Sequence, residues 1–142
     1  MDFVFKILTP SDGTNRYLLK VGLTDIVSTD PTVNNGMYVS YSDNVNSGNW
    51  TYTCINSAVA TTTNSSTAVT SGWHHLLLTI NDPGTSVSFE MDGVSLGAAI
   101  TTNITSTMIS PAIIITAISG TIGSAFIEYD MIYATQAFTT AR

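Results

Sequence analysis

The chain is 142 residues long, enough for one domain whose core needs neither a disulfide nor a metal. Hydrophobic residues make up 44% and charged residues only 10%, which excludes a disordered chain and leaves a surface poor in charge. Four basic residues against ten acidic ones give a formal charge of −6, so no basic patch exists for nucleic acid or an anionic membrane surface.

Alternation of apolar and polar residues runs along most of the chain, and each alternating segment predicts a strand with one buried face. In chain order the apolar sets are Phe3, Phe5, Ile7; Tyr17, Leu19, Val21; Met37, Val39, Tyr41; and Trp50, Tyr52, Cys54. Residues 56–72, mostly Ser, Thr, Ala and Asn, predict a short strand flanked by mobile loops. Then follow His74, Leu76, Leu78, Ile80; Val87, Phe89, Met91; the Ile-rich run from Pro111 to Ile118; and Ile127, Tyr129, Met131, Tyr133. Turn signals separate them: Ser11-Asp12-Gly13, Asn34-Asn35-Gly36, Asn46-Ser47-Gly48-Asn49, Asn81-Asp82-Pro83-Gly84, Asp92-Gly93 and Ser119-Gly120. Asp92-Gly93 has the chemistry of a two-residue hairpin turn. No window shows a capped helical period, so the fold class is all-β, a two-layer antiparallel sandwich over 1–142.

Hydroxyls replace the missing charge: 23 threonines and 16 serines. Thr suits a pleated surface, and Ser and Asn suit turns. Sheet faces coated this way lack the charge that keeps free sheets from sticking. Cys54, the only cysteine, allows no internal disulfide and falls on the buried phase of its strand. No signal-peptide pattern and no apolar run of about 18 residues is visible. The glycosylation patterns at Asn49, Asn64 and Asn103 are the chance matches that a Ser/Thr-rich chain produces.

From Gly36 onward specific motifs accumulate. They are Gly36-Met37-Tyr38-Val39-Ser40-Tyr41, Ser71-Gly72-Trp73-His74-His75, Gly84-Thr85-Ser86-Val87 and the hairpin Phe89-Glu90-Met91-Asp92-Gly93. Phe126-Ile127-Glu128-Tyr129-Asp130 follows near the end. In this order, over residues 16–133, they resemble the concanavalin A-like jelly-roll modules, of the laminin-G and pentraxin-like group, found in structural proteins of tailed bacteriophages. The resemblance implies a jelly-roll fold. It also implies a non-enzymatic virion protein, a head decoration, head fibre or tail-fibre module, made in the bacterial host cytoplasm. Such a module packs against copies of itself and other virion proteins. The alternative it implies is a lectin-like adhesion module for host-surface glycans. The chain starts almost directly in a strand where such modules often carry more, so it is either a minimal version or has a sheet edge completed by a neighbour through strand addition.

Strand phase also sorts the candidate site residues. Glycan candidates are Tyr38, Trp50 and Tyr52; the phase of Trp50, Tyr52 and Tyr41 favours core packing, while Tyr38 falls on the opposite, outward phase. Asp43, Asn44, Asn46 and Asn49 form the richest oxygen cluster, a weak candidate for calcium, the one cofactor considered. Glu90 and Asp92 are a second acidic pair beside a hairpin. Glu128 and Asp130, two apart on the last strand, match part of the carboxylate set of retaining glucanases of this fold, but Ile132 stands where a further Glu is required. Both acids are expected on the outer or edge face, with Ile127, Tyr129 and Met131 in the core. His74 and His75, adjacent on a strand, point to opposite faces and cannot share a metal there.

Overall fold

The computed structural model describes residues 1–25, 32–120 and 127–134. Among these, ten strands follow in chain order: β1 (Asp2–Ile7), β2 (Arg16–Thr24), β3 (Gly36–Tyr41), β4 (Asn49–Asn56), β5 (Val59–Ala68), β6 (Gly72–Ile80), β7 (Val87–Met91), β8 (Val94–Ser95), β9 (Ser110–Ser119) and β10 (Ile127–Tyr133). Two five-stranded sheets result, sheet A in the order β10-β1-β6-β7-β8 and sheet B in the order β5-β4-β3-β2-β9. Every pairing is antiparallel. The chain crosses between sheets after β1, β5, β8 and β9, and runs as meanders β2 to β5 and β6 to β8. The all-β, two-layer sandwich read from the alternation is the observed architecture. The described residues contain no helix long and apolar enough to cross a membrane.

The apolar phase of each strand builds the core. Phe3, Phe5 and Ile7 of β1, Leu76 and Leu78 of β6, and Val87, Phe89 and Met91 of β7 come from sheet A. Tyr17, Leu19 and Val21 of β2, Met37, Val39 and Tyr41 of β3, and Trp50, Tyr52 and Cys54 of β4 come from sheet B. Burying each large apolar side chain contributes about 1.5–3 kcal/mol, so these rows hold the sheets together. Burial pushes the Cys54 thiol up to about 12, which makes it an inert hydrophobe rather than a nucleophile.

Residues 56–72 depart from the expectation of a short strand between mobile loops. β5 is ten residues long and joined to β4 by a two-residue turn, Ser57-Ala58. Thr supplies the reason: the Thr53 and Thr62 hydroxyls meet across the strands at 2.8 Å, and the Thr61 hydroxyl meets that of Thr102 at 2.7 Å. The turn itself is strained. Ser57 and Ala58 have φ of 50° and 65°, the left-handed values of a type I′ turn, which favour Gly or Asn. Two bonds from the β2–β3 loop hold it: the Ser57 amide donates to Asn35 Oδ1 at 2.9 Å and the Ala58 amide donates to the Asn34 carbonyl at 2.8 Å. Ala58→Gly removes the Cβ penalty and keeps the backbone donor. Thermal or urea unfolding should show a gain of about 0.5–1 kcal/mol.

β10 is the second departure. Tyr129 is 71% exposed and Met131 44% exposed, where both were expected in the core. The register with β1 shifts between Val4 and Phe5, which pair with Met131 and Tyr129, so Asp130 is an extra residue in a bulge. The bulge breaks the simple alternation, and β10 borders sheet A with only β1 beside it among the described strands. The Ile127 side chain and Phe126 lie outside the described residues.

Candidate interaction surface

The structure places the aromatic candidates inside. Trp50 and Tyr52 are fully buried, and the Tyr52 hydroxyl donates to the Ala98 carbonyl at 3.2 Å. Tyr38 lies on the outer face of sheet B, as its phase requires, yet it is only 8% exposed. Val33 and Ile55 form a small cluster with it, and the Lys20 ammonium sits 5.3 Å from its ring centroid. That covering corrects the expected exposure, and it raises the Tyr38 pKa and lowers that of Lys20, both through burial. None of the three offers a free ring face to a sugar.

The oxygen cluster is tied into the protein. Asp43 accepts from Arg16 Nε on Oδ1 and from Arg16 Nη2 on Oδ2, both at 2.9 Å, and from the Ser11 hydroxyl at 2.6 Å. Asn44 Oδ1 accepts from the Ser42 hydroxyl at 3.0 Å. Asn46 Nδ2 donates to the Trp50 carbonyl at 2.9 Å and to the Ser65 carbonyl at 2.7 Å, which pins the left-handed turn at 46–48 against β4 and β5. Asn49 opens β4 opposite Ala68. Among the described residues no group of three or more His, Cys, Asp or Glu side chains is placed to hold a metal ion.

The Arg16 fork and Ser11 lower the Asp43 carboxyl to about 2. A carboxylate depressed on folding stabilises the fold above its ordinary value of 3.8, and that contribution is lost as pH falls towards 2. Asp43→Asn should therefore cost about 1–2 kcal/mol at pH 7. It should also flatten the decline in stability between about pH 4 and pH 2, followed by urea unfolding across pH.

The two histidines separate as strand geometry demands. His74 is buried: Nε2 donates to the Thr70 carbonyl at 2.9 Å, and Nδ1 lies 2.8 Å from Asp92 Oδ2. His75 is on the outer face, with Nε2 2.8 Å from Asp2 Oδ1 and its amide donating to Asp92 Oδ1 at 2.7 Å. Asp92 also forms the β7–β8 turn with Gly93, at φ of 53° and 79°, so one carboxylate locks the hairpin onto β6. The histidines are structural pins. Glu90, opposite Leu77, continues the outer face of sheet A.

What remains open is a patch on that outer face, which strand phase alone does not single out. Pairing sets its residues in three rows across β10, β1 and β6: Glu128, Lys6 and Trp73; Met131, Val4 and His75; Tyr133, Asp2 and Leu77. It spans about 10 Å across the strands and about 13 Å along them. Trp73 is 53% exposed and Tyr133 54% exposed. Lys6 bonds Glu128 Oε2 at 3.0 Å and lies 5.6 Å from the Trp73 ring centroid. On the opposite side of β10, Tyr129 and Ile132 pair with the core residues Phe5 and Phe3, yet both are exposed. Trp73 was legible as an outward residue, because it alternates against His74, Leu76 and Leu78. The outward turn of Met131 was not, since the bulge at Asp130 has no sequence signal. Chemically the patch sets aromatic and aliphatic side chains among paired charges, the composition common at contact surfaces.

A family model described as the SO2946-like, C-terminal domain matches residues 1–132. No curated protein and no solved structure matches the chain. With the match running over nearly all of the sandwich, the chain belongs to the SO2946-like C-terminal domain family.

Proposed function

We propose that this sandwich is a non-enzymatic structural module of a bacteriophage particle, working by packing against other protein subunits. One observation carries the packing role: the exposed Met131 and Tyr133 of β10 share the outer face of sheet A with the exposed Trp73 of β6. Exposed apolar side chains of this size cost free energy while they are wet and repay it when a protein surface covers them. The hydroxyl-rich faces fit the same role, because Ser and Thr lose little side-chain entropy on burial compared with Lys or Glu. The motif resemblance to phage modules supplies the particle. Light scattering on the purified chain, alone and mixed with the capsid and tail proteins of its particle, tests the reading. A species heavier than the monomer in either sample supports it. A monomer in both overturns it.

A second reading rests on Trp73. Its exposed ring, with Lys6, Glu128 and the His75–Asp2 pair alongside, has the composition of a site on which a sugar stacks. A glycan array probed with and without calcium separates the two, since binding lost in Trp73→Ala would favour adhesion and a blank array would remove it.

A further inference from the structure

β10 carries large apolar side chains exposed on both of its faces, Tyr129 and Ile132 on one and Met131 and Tyr133 on the other. An edge strand of a sandwich ordinarily buries one face, because alternate residues point inward. Here Tyr129 and Ile132 continue the inward row of Phe5 and Phe3, and Met131 and Tyr133 continue the outward row of Val4 and Asp2, yet all four stay in contact with water. A strand laid beside β10 would find apolar neighbours for both sets of its side chains. The other edges offer less: β8 has two residues, β9 carries Pro111, which lacks an amide hydrogen, and β5 is lined with hydroxyls.

Charge selects the occupant. β10 and its neighbour β1 carry three carboxylates, Asp2, Glu128 and Asp130, against the single lysine Lys6, which bonds Glu128, with His75 of β6 facing Asp2. The basic residues of the sheet B strands, Arg16 and Lys20, are both on β2, away from its edges. A second copy is a poor match: β5, β8 and β9 contain no Lys or Arg, and pairing β10 with itself would gather four carboxylates in one seam.

We propose that β10 is completed by strand addition from a different protein, whose extended segment alternates basic with apolar side chains. This rests on reading this side of sheet A as a protein contact, and it names what makes the contact. The apolar set continues the core beside Tyr129 and Ile132. The basic set lies on the outer face near Glu128 and Asp2, its aliphatic stems over Met131 and Tyr133. Backbone hydrogen bonds to β10 supply affinity, and the alternation supplies register.

The probes are two nine-residue synthetic peptides, one alternating lysine with valine and the other glutamate with valine, each titrated into the intact chain and followed by amide hydrogen exchange and nitrogen-15 chemical shifts. The lysine peptide should bind and slow exchange at β10 amides by about tenfold or more, and raising salt from about 0.05 to 0.5 M should weaken it several-fold. Asp130→Asn and Tyr133→Ser, both on exposed positions that leave the fold intact, should each weaken it several-fold. Binding that moves Trp73 but leaves β10 exchange unchanged overturns strand addition while leaving a contact surface in place. Equal binding of both peptides overturns the basic occupant. Binding of neither overturns the proposal, and subunit packing is then decided separately by light scattering.

Discussion

Gly22→Ala should lose at least about 3 kcal/mol of stability, enough to leave much of the chain unfolded at 37 °C. Gly22 sits in the middle of β2, opposite Tyr38 of β3, with φ at +152°. A Cβ there would strike the Met37 carbonyl oxygen and lie 2.6 Å from Tyr38 Cα and 2.9 Å from Tyr38 Cβ. Two of these atoms are backbone, so no rotamer change relieves the clash, and β2 would have to leave β3. The absent side chain is also what lets Tyr38 come so close, with Lys20 next to its ring. Chemical denaturation measures the loss directly, and circular dichroism would report whether the sheet forms at all. A loss below about 1 kcal/mol would mean that β2 and β3 lie farther apart than described.

Trp50→Ala should cost about 3–5 kcal/mol. Trp50 is fully buried and joins the two sheets through a group of rings. Phe5 of sheet A lies 6.2 Å away edge-on, the His74 imidazole 5.9 Å away, and Tyr41 of sheet B 6.0 Å away. Deleting the indole removes the contact that β4 makes with β1 and β6 and leaves a cavity the stiff sheets cannot close. The Trp50 Nε1 hydrogen is buried without a hydrogen-bond partner among the described residues, which itself costs about 1–3 kcal/mol. Trp50→Phe removes that orphan donor along with some volume, so it should cost only about 1 kcal/mol. Equilibrium unfolding of the two variants side by side checks both the ring group and the orphan nitrogen. A Trp50→Phe loss of about 3 kcal/mol or more would show that the nitrogen has a partner.

Alternation alone positions most of this architecture, because strand period and burial coincide wherever a strand is flanked on both sides. Phe3, Phe5, Leu19, Val39, Trp50, Leu76 and Phe89 are all buried on the phase their spacing indicates. The Asp92-Gly93 turn was legible because its residues tolerate positive φ. Ser57-Ala58 was hidden because its chemistry argues against the turn it makes, and only distant partners, Asn34 and Asn35, hold it. Tyr38 shows another limit: phase gives the face a residue points to, but cover on that face comes from Val33 and Ile55, which its own strand pattern does not reveal. The candidate surface was half legible. Trp73 announces itself by phase, whereas the exposure of β10 depends on a bulge and on an edge position, both properties of pairing.

The double variant Trp73→Ser/Tyr133→Ser bears most directly on the proposed role of this sandwich as a packing module, because it separates folding from association. Both residues are half exposed, so unfolding free energy should change by no more than about 0.5 kcal/mol while association seen by light scattering disappears. A stability loss of several kcal/mol would place these side chains in the core. Association that persists unchanged would place the contact elsewhere.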